Sequence, residues 1–387
     1  MERDLTTGSI GRNILKFSLP YFLSYFLQTL YGMADLFIIG QFNGVASTTA
    51  VSIGSQVMHM ITVMIVGIAM GTTVMIGKSV GAKQKKETSK IIGNTVSLFV
   101  CLSVVLTVVL LFFVHPIVHI MSTPQQAVEG TTAYLTICFA GIPLITAYNI
   151  ISSIFRGLGD SKSPMYFIAV ACGVNIVLDY VFIGGLHFGA SGAALGTTLA
   201  QTISVIVALI AIRKKDTGIS LKRSDLKPEG KTLKNILGIG IPISLQDGFI
   251  QISFIVITII VNQRGLNDAA AVGIVEKIIS FVFLVPSSML SAVSAIAAQN
   301  IGAGKDERAT KTLKYAIMIS MSFGLCVAVL MQFISNFVVG IFTVDTMVIH
   351  MGSQYIRSYI WDCMIAGIHF SFSGYFCAVS YTHLRAH

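Results

Sequence analysis

Two carboxylates, Asp35 and Asp179, lie inside long apolar stretches of this 387-residue chain. A charge at the centre of a membrane-spanning helix costs about 2.5–3.5 kcal/mol on insertion scales, so an acid at such a position is usually functional. Asn175 precedes Asp179 by four residues and therefore shares its helix face. Oxygen atoms grouped at one depth could coordinate Na⁺, or two neighbouring acids could share a proton.

Helical rise, about 1.5 Å per residue, estimates how deep each group lies below the outer end of its span. The estimated depth is roughly 10 Å for Asp35 and Thr197, roughly 8 Å for Asp179 and roughly 6 Å for Tyr134. The N-terminal half is therefore predicted to hold one polar layer that binds a proton or a cation. The alternative is that both acids lie near enough to the membrane surface to be wetted or satisfied by backbone groups.

The elements that must position these groups follow from composition. The chain is 54% hydrophobic and 11% charged, with mean hydropathy +0.80, whereas soluble domains carry about 25% charged residues. The apolar runs are continuous rather than alternating, which favours helices over a β-barrel. The predicted fold class is an all-α polytopic membrane protein. Ten spans are predicted at about 14–42, 46–77, 91–121, 130–155, 164–184, 190–212, 233–263, 268–298, 309–341 and 348–379.

The basic residues behind the net charge of +9 lie near the ends of particular spans. Lysines and arginines cluster before the first span and after the second, fourth, sixth and eighth, with Arg264 as an exception. This pattern predicts a cytoplasmic N-terminus in a plasma or bacterial inner membrane. The excess of basic residues is thus explained by the membrane topology, and no nucleic-acid partner is expected.

Three pairs of segments repeat at an offset of 221 residues: AVSIG from Ala50 and AVGIV from Ala271, SVGAK from Ser79 and NIGAG from Asn300, and SIFRG from Ser153 and GYFCA from Gly374. An even number of spans separates the copies, so the repeat is parallel, with an axis along the membrane normal.

The repeat predicts the domain organisation: an N-lobe of six spans at 1–213, a cytoplasmic linker at 214–232 and a C-lobe at 233–387. The fifth and sixth spans lack C-terminal partners, so we expect a chain with about 10 of 12 helices that lacks about 50–60 residues. The tail after Ala378 is expected not to be native.

Other polar residues give weaker signals. Glu276 and Asp362 fall in C-lobe spans and are candidates for a cavity there, while Pro20 is expected to kink the first span. His115 and His119 are interrupted by a proline and do not predict a metal site. The six cysteines form no C-x-x-C pair. With no cofactor loop or nucleophile–base pair, an enzyme is not expected.

Four motifs together resemble the multidrug and toxic compound extrusion (MATE) family, and most closely its DinF-like branch. They are YGMADLFIIGQF from Tyr31, FRGLGDSKSP from Phe155, NIVLDYVFIGG from Asn175 and QNIGAG from Gln299. The resemblance covers roughly residues 10–378. It implies two six-helix lobes that export organic cations and drugs in exchange for H⁺ or Na⁺, without a further cofactor.

The resemblance also implies residue roles. The residues that correspond to the N-lobe ion site of this branch are Asp35, Asn175, Asp179, Thr197 and Tyr134. Pro20 matches its bend proline and Tyr31 a cavity tyrosine. Where the other bacterial branch has acids on helices seven and ten, the seventh span here has Gln246, Asp247 and Gln251, so Gln246 and Gln251 are assigned to the substrate cavity with Glu276 and Asp362.

We therefore expect a monomeric secondary active exporter of cationic or amphipathic small molecules, working by alternating access within membrane lipid. A related alternative is a flippase for lipid-linked saccharides, whose anionic pyrophosphate would need basic groups in the cavity. A membrane enzyme and a passive channel or scaffold are alternatives of a different class. Accumulation that depends on an ion gradient would separate a transporter from a channel.

Overall fold

The computed structural model describes residues 4–214, 222–264, 266–343 and 345–379, which are almost entirely helical. The α-helices are α1 (Ile10–Phe42), α2 (Val45–Gly81), α3 (Lys85–Phe112), α4 (Val114–Ile120), α5 (Val128–Ala140), α6 (Ile142–Gly157), α7 (Lys162–Asp179), α8 (Gly189–Lys214), α9 (Gly230–Arg264), α10 (Leu266–Val282), α11 (Leu284–Gly302), α12 (Asp306–Gly340), α13 (Thr346–Tyr359) and α14 (Asp362–Val379).

Within the described ranges, nine helices are long and apolar enough to cross a membrane, and the bent pair α5–α6 makes up to ten. The predicted all-α polytopic fold is confirmed. The tail from residue 380 onwards and residues 215–221 of the predicted linker lie outside the described residues.

Several predicted spans are broken where single helices were expected. The third is interrupted at Phe113 and the eighth at Phe283, and the fourth bends by 50° at Gly141. A proline follows each break in the first turn of the next helix, namely Pro116, Pro143 and Pro286. Proline has no N–H to donate to the preceding turn, so the helix is interrupted there. The tenth predicted span is likewise two helices, α13 and α14.

The internal repeat appears as reciprocal contacts between α2 and α11. A Cβ atom at Gly81 would collide with the backbone of Gln299, and one at Gly302 would collide with the backbone of Lys78. Both glycine positions and both contacted positions differ by the repeat offset of 221. The two helices therefore cross near a pseudo-twofold axis, which confirms the predicted parallel repeat.

The two lobes pack against each other at the helix ends that carry the lysines, called here the basic end. Gly71 of α2 abuts the carbonyl of Ile236 at the start of α9. Leu5, which is fully buried, donates its backbone N–H to Gln299 Oε1 at 3.1 Å, and Gln299 Nε2 donates to the Gly157 carbonyl at 3.2 Å. One α11 side chain thus joins the N-terminal segment to the N-lobe.

The described part of the linker lies along α3. Asn94 Oδ1 accepts the Glu229 backbone N–H at 2.6 Å, and Ser97 Oγ donates to the Leu226 carbonyl at 2.5 Å. Lys90 Nζ pairs with Glu229 at 2.7 Å and holds the pKa of that carboxyl below its usual range. The linker's second half is therefore anchored to the N-lobe.

The reciprocal glycine contact predicts the effect of adding one methyl group. We expect Gly81→Ala to lower the free energy of unfolding by about 1–3 kcal/mol, because the new Cβ has no room against Gln299. Gly40→Ala on α1 meets open space and should be neutral or stabilising by about 0.5–1 kcal/mol. Thermal unfolding in detergent measures both, and equal melting temperatures for the two variants would contradict the packing described.

Candidate functional site

Helices α1, α7 and α8 bring the predicted N-lobe acids together. Asp35, Asn175 and Asp179 are 3%, 1% and 0% exposed. Thr197 Oγ1 of α8 donates a hydrogen bond of 3.3 Å to Asp35 Oδ2. Residues separated by up to 162 positions in sequence thus meet at one buried point.

The two carboxyl groups are close enough to interact directly, and Asn175 also lies beside Asp35. No hydrogen bond of 3.5 Å or less joins the two acids. Within the described ranges, Oδ1 of Asp35, both oxygens of Asp179 and both polar side-chain atoms of Asn175 are buried without a partner. Buried carboxylates need compensation. The unpartnered oxygens could coordinate one Na⁺, or a proton could bridge the two acids.

Local backbone features position Asp179. A wide helical turn, Tyr180–Gly185, follows it, in which Leu186 N–H donates to the Val181 carbonyl five residues back. Such π-type turns occur frequently at functional sites. Across from it, α8 presents Gly196, where a Cβ would collide with Asp179 Oδ1. The absent side chain at Gly196 makes the room that Asp179 occupies.

Two predicted tyrosines lie around the acid pair. Tyr31, one turn before Asp35 on α1, interacts with Asp35 and with the Gln201 side chain on α8. Tyr134 of α5 is buried near Asp35, and its hydroxyl is 3.2 Å from Ser55 Oγ of α2. Gln201 and Ser55 were not predicted as site residues from the sequence. The i,i+4 spacing of Thr197 and Gln201 was a signal for Gln201, whereas Ser55 offered none.

Pro20 lies within α1, which continues from Ile10 to Phe42. Ser24 Oγ donates to the Pro20 carbonyl at 2.8 Å, a contact that often accompanies helix bending. The next residue, Tyr21, packs under the Arg156 guanidinium of α6, 4.7 Å from the ring centre. The expected kink at Pro20 stays a prediction.

The C-lobe candidates do not join the N-lobe site. Gln246 of α9 is 3.0 Å from His369 Nε2 on α14, and Gln251 lies one turn further along α9. Asp362 begins α14 and interacts with Tyr359 at the end of α13.

Glu276 of α10 faces Tyr355 and Tyr359 of α13, and its Oε1 is buried without a partner in the described structure. The repeat offset relates Glu276 to Ser55 and Tyr355 to Tyr134. Glu276 and Tyr355 therefore form the C-lobe counterpart of the Ser55–Tyr134 pair, with a carboxylate in place of the hydroxyl.

Comparison with known proteins identifies the chain. The family model described as MatE matches residues 20–181 and 242–386. The chain belongs to the MatE family. This confirms the resemblance to MATE transporters, while the assignment to a branch stays a prediction. The two matched segments correspond to the two halves of the repeat, and the first includes α1, α7 and the acid pair.

Curated relatives of this MatE chain include the probable multidrug resistance proteins YoeA and YpnP of Bacillus subtilis. YoeA is 27% identical over 93% of the chain and 79% of its own length. YpnP is 28% identical over 96% of the chain and 83% of its own length. The multidrug export protein MepA of Staphylococcus aureus is 25% identical over 94% of the chain and 81% of the relative.

Among solved structures, a MATE protein in complex with MaD3S superposes with a TM-score of 0.90 at 25% identity, covering 97% of the chain and 84% of that structure. An outward-facing MATE transporter of the MOP superfamily superposes with a TM-score of 0.91 at 24% identity, covering 98% and 85%. The second likeness supports the fold alone.

The close approach of α8 to Asp179 predicts that Gly196→Ala displaces the carboxylate. We expect this variant of the MatE protein to fold but to lose most dye transport, because Asp179 can no longer occupy its place. Gly173→Ala on α7 meets open space and is the matched control. The measurement is dye transport by purified protein in liposomes, and full activity of Gly196→Ala would count against the position of Asp179.

Proposed function

We propose that the protein is a secondary active multidrug exporter that exchanges organic cations or amphipathic drugs for H⁺ or Na⁺ by alternating access. The observation that carries the proposal is the buried pair Asp35–Asp179, whose oxygens largely lack partners. The names of the relatives YoeA, YpnP and MepA support the substrate class.

The acid pair supplies a reason for ion coupling. Two ionised carboxylates side by side in a buried site repel each other and are poorly solvated. A proton or Na⁺ relieves both costs, so the occupied and the empty site favour different packing of α1 against α7 and α8. A ligand shifts a conformational equilibrium only through such a difference in affinity between the two states.

We infer that α1 transmits this difference. Asp35 and Pro20 share the helix, and Tyr25 of α1 is 3.0 Å from Ser291 of α11 in the other lobe. Cation binding at Asp35 would allow α1 to bend near Pro20, which would shrink the N-lobe cavity and release the substrate. Bending of α1 would also disturb the contact at Tyr25.

The packing of the lobes supports an orientation. Lobe contacts concentrate at the basic end, which is predicted to be cytoplasmic from the distribution of lysines. The proposed protein is a monomer in the plasma or bacterial inner membrane, and this arrangement corresponds to a cytoplasmic gate that is closed.

The flippase alternative is less well supported. A pyrophosphate lipid would require several basic groups in the space between the lobes. Arg357 donates to Ser335 Oγ at 2.7 Å inside the C-lobe and is therefore engaged elsewhere. Arg156 packs on Tyr21 within the N-lobe. A single lysine, Lys277, is insufficient for this substrate.

The test is dye transport in proteoliposomes under an imposed pH or Na⁺ gradient. Asp35→Asn should abolish gradient-driven transport and leave the protein folded, because one member of the acid pair can no longer exchange a cation. Glu129→Gln removes an exposed acid of the same lobe and should transport normally. Gradient-driven transport by Asp35→Asn at the rate of the unmodified protein would overturn the proposal.

A further inference from the structure

The exposed faces of α2 and α10 are smaller and more polar than those of α3 and α12. Along α2, the exposed residues toward the end away from the lysines include Ser52, Gln56 and His59. Along α10, they include Gly273, Lys277 and Ser280. By contrast, α3 exposes Val104, Val108 and Phe112, and α12 exposes Phe333 and Phe337. Large apolar faces suit lipid, whereas small and polar faces suit water.

The two polar faces are related by the internal repeat. Adding the offset of 221 to Ser52, Gln56 and His59 gives Gly273, Lys277 and Ser280. Because the axis runs between α2 and α11 at Gly81 and Gly302, the two faces lie on opposite sides of it. The space between these six residues is called here the interlobe cleft.

Contacts between the lobes close the interlobe cleft toward the basic end. Phe26 of α1 and Phe281 of α10 lie 6.2 Å apart between ring centres, and a Cβ at Gly67 of α2 would collide with the Ser244 backbone of α9. Lys277 precedes Phe281 by one helical turn, and His59 precedes Gly67 by about two turns. Both residues therefore lie just beyond this closure, well inside the span.

The ammonium group of Lys277 lies on the exposed, cleft-facing side of α10. Within the described ranges, no salt bridge or hydrogen bond is formed by its ammonium. Its charge interacts across the cleft with His59 and along α10 with Glu276. Glu276 also interacts with Tyr355 and Tyr359 of α13, and Lys277 is the one lysine or arginine among the six cleft residues.

We propose that Lys277 is a specificity-determining residue that binds an anionic group of the substrate, so that the cleft accepts zwitterionic amphiphiles, with a carboxylate beside a cationic aromatic body, as well as simple cations. This inference rests on the proposed export function and concerns its substrates. An ammonium without a partner at this depth is costly unless water or a ligand compensates it. A carboxylate replaces that water by a charge-assisted hydrogen bond.

Two dyes isolate the anionic group. Rhodamine 110 is a zwitterion with a free carboxylate, and rhodamine 123 is its cationic methyl ester, so the pair differs at that group alone. Transport of each dye is measured with the full chain in liposomes under the driving gradient. We expect the unmodified protein to transport both.

Lys277→Gln should lower kcat/KM for rhodamine 110 by about tenfold or more, the effect of losing one charge-assisted hydrogen bond. Rhodamine 123 should change by less than about twofold, because it offers no carboxylate to Lys277. Lys277→Arg should retain rhodamine 110 transport. Gln56→Lys added to Lys277→Gln places the charge at the repeat-related position and should restore part of that transport.

The outcomes distinguish failure of the proposed export function from failure of the proposed role of Lys277. If the unmodified protein transports neither dye, the export function fails and this inference fails with it. Transport of rhodamine 123 without rhodamine 110 leaves the export function standing and overturns the role of Lys277. An equal loss of both dyes in Lys277→Gln, or no loss of either, overturns it as well.

Discussion

The candidate site of the N-lobe depends on one constraint, the burial of Asp35 beside Asp179. Neither carboxylate has a basic partner within the described ranges, and together they have a single hydrogen bond, from Thr197. An arrangement of this kind is unfavourable unless a cation neutralises it. The surrounding features serve the pair: Gly196 makes room for Asp179, the wide turn after Asp179 ends α7, and Asn175 supplies a further oxygen.

The acid pair and the interlobe cleft have separate roles in this account. Asp35 and Asp179 lie within the N-lobe, between α1, α7 and α8, whereas Lys277 and His59 lie between the lobes on α10 and α2. Helix α1 is the element common to both regions, since it carries Asp35 and also contacts α10 and α11 through Phe26 and Tyr25. In the proposed exchange of cation against drug, α1 would therefore change its packing against both regions.

Much of the fold could be predicted because the bilayer restricts the chain to apolar helices of similar length. The polar layer of Asp35, Asn175, Asp179 and Thr197 followed from helical rise and i,i+4 spacing, which depend on sequence position alone. The breaks near Phe113 and Phe283 were missed, although Pro116 and Pro286 marked them, because continuous hydrophobicity hides a local loss of hydrogen bonds. Contacts that depend on the packing of distant helices, such as Ser55 with Tyr134 and Gly196 with Asp179, had no local signal.

The central claim is that Asp35 and Asp179 hold one cation between them. Its most direct test is the number of cations bound per purified protein, counted as ²²Na⁺ retained or as protons released in a pH titration, for the unmodified chain and for Asp179→Asn. The account predicts one cation shared by the pair and lost on removal of either acid. Cation binding that persists unchanged in Asp179→Asn would contradict it.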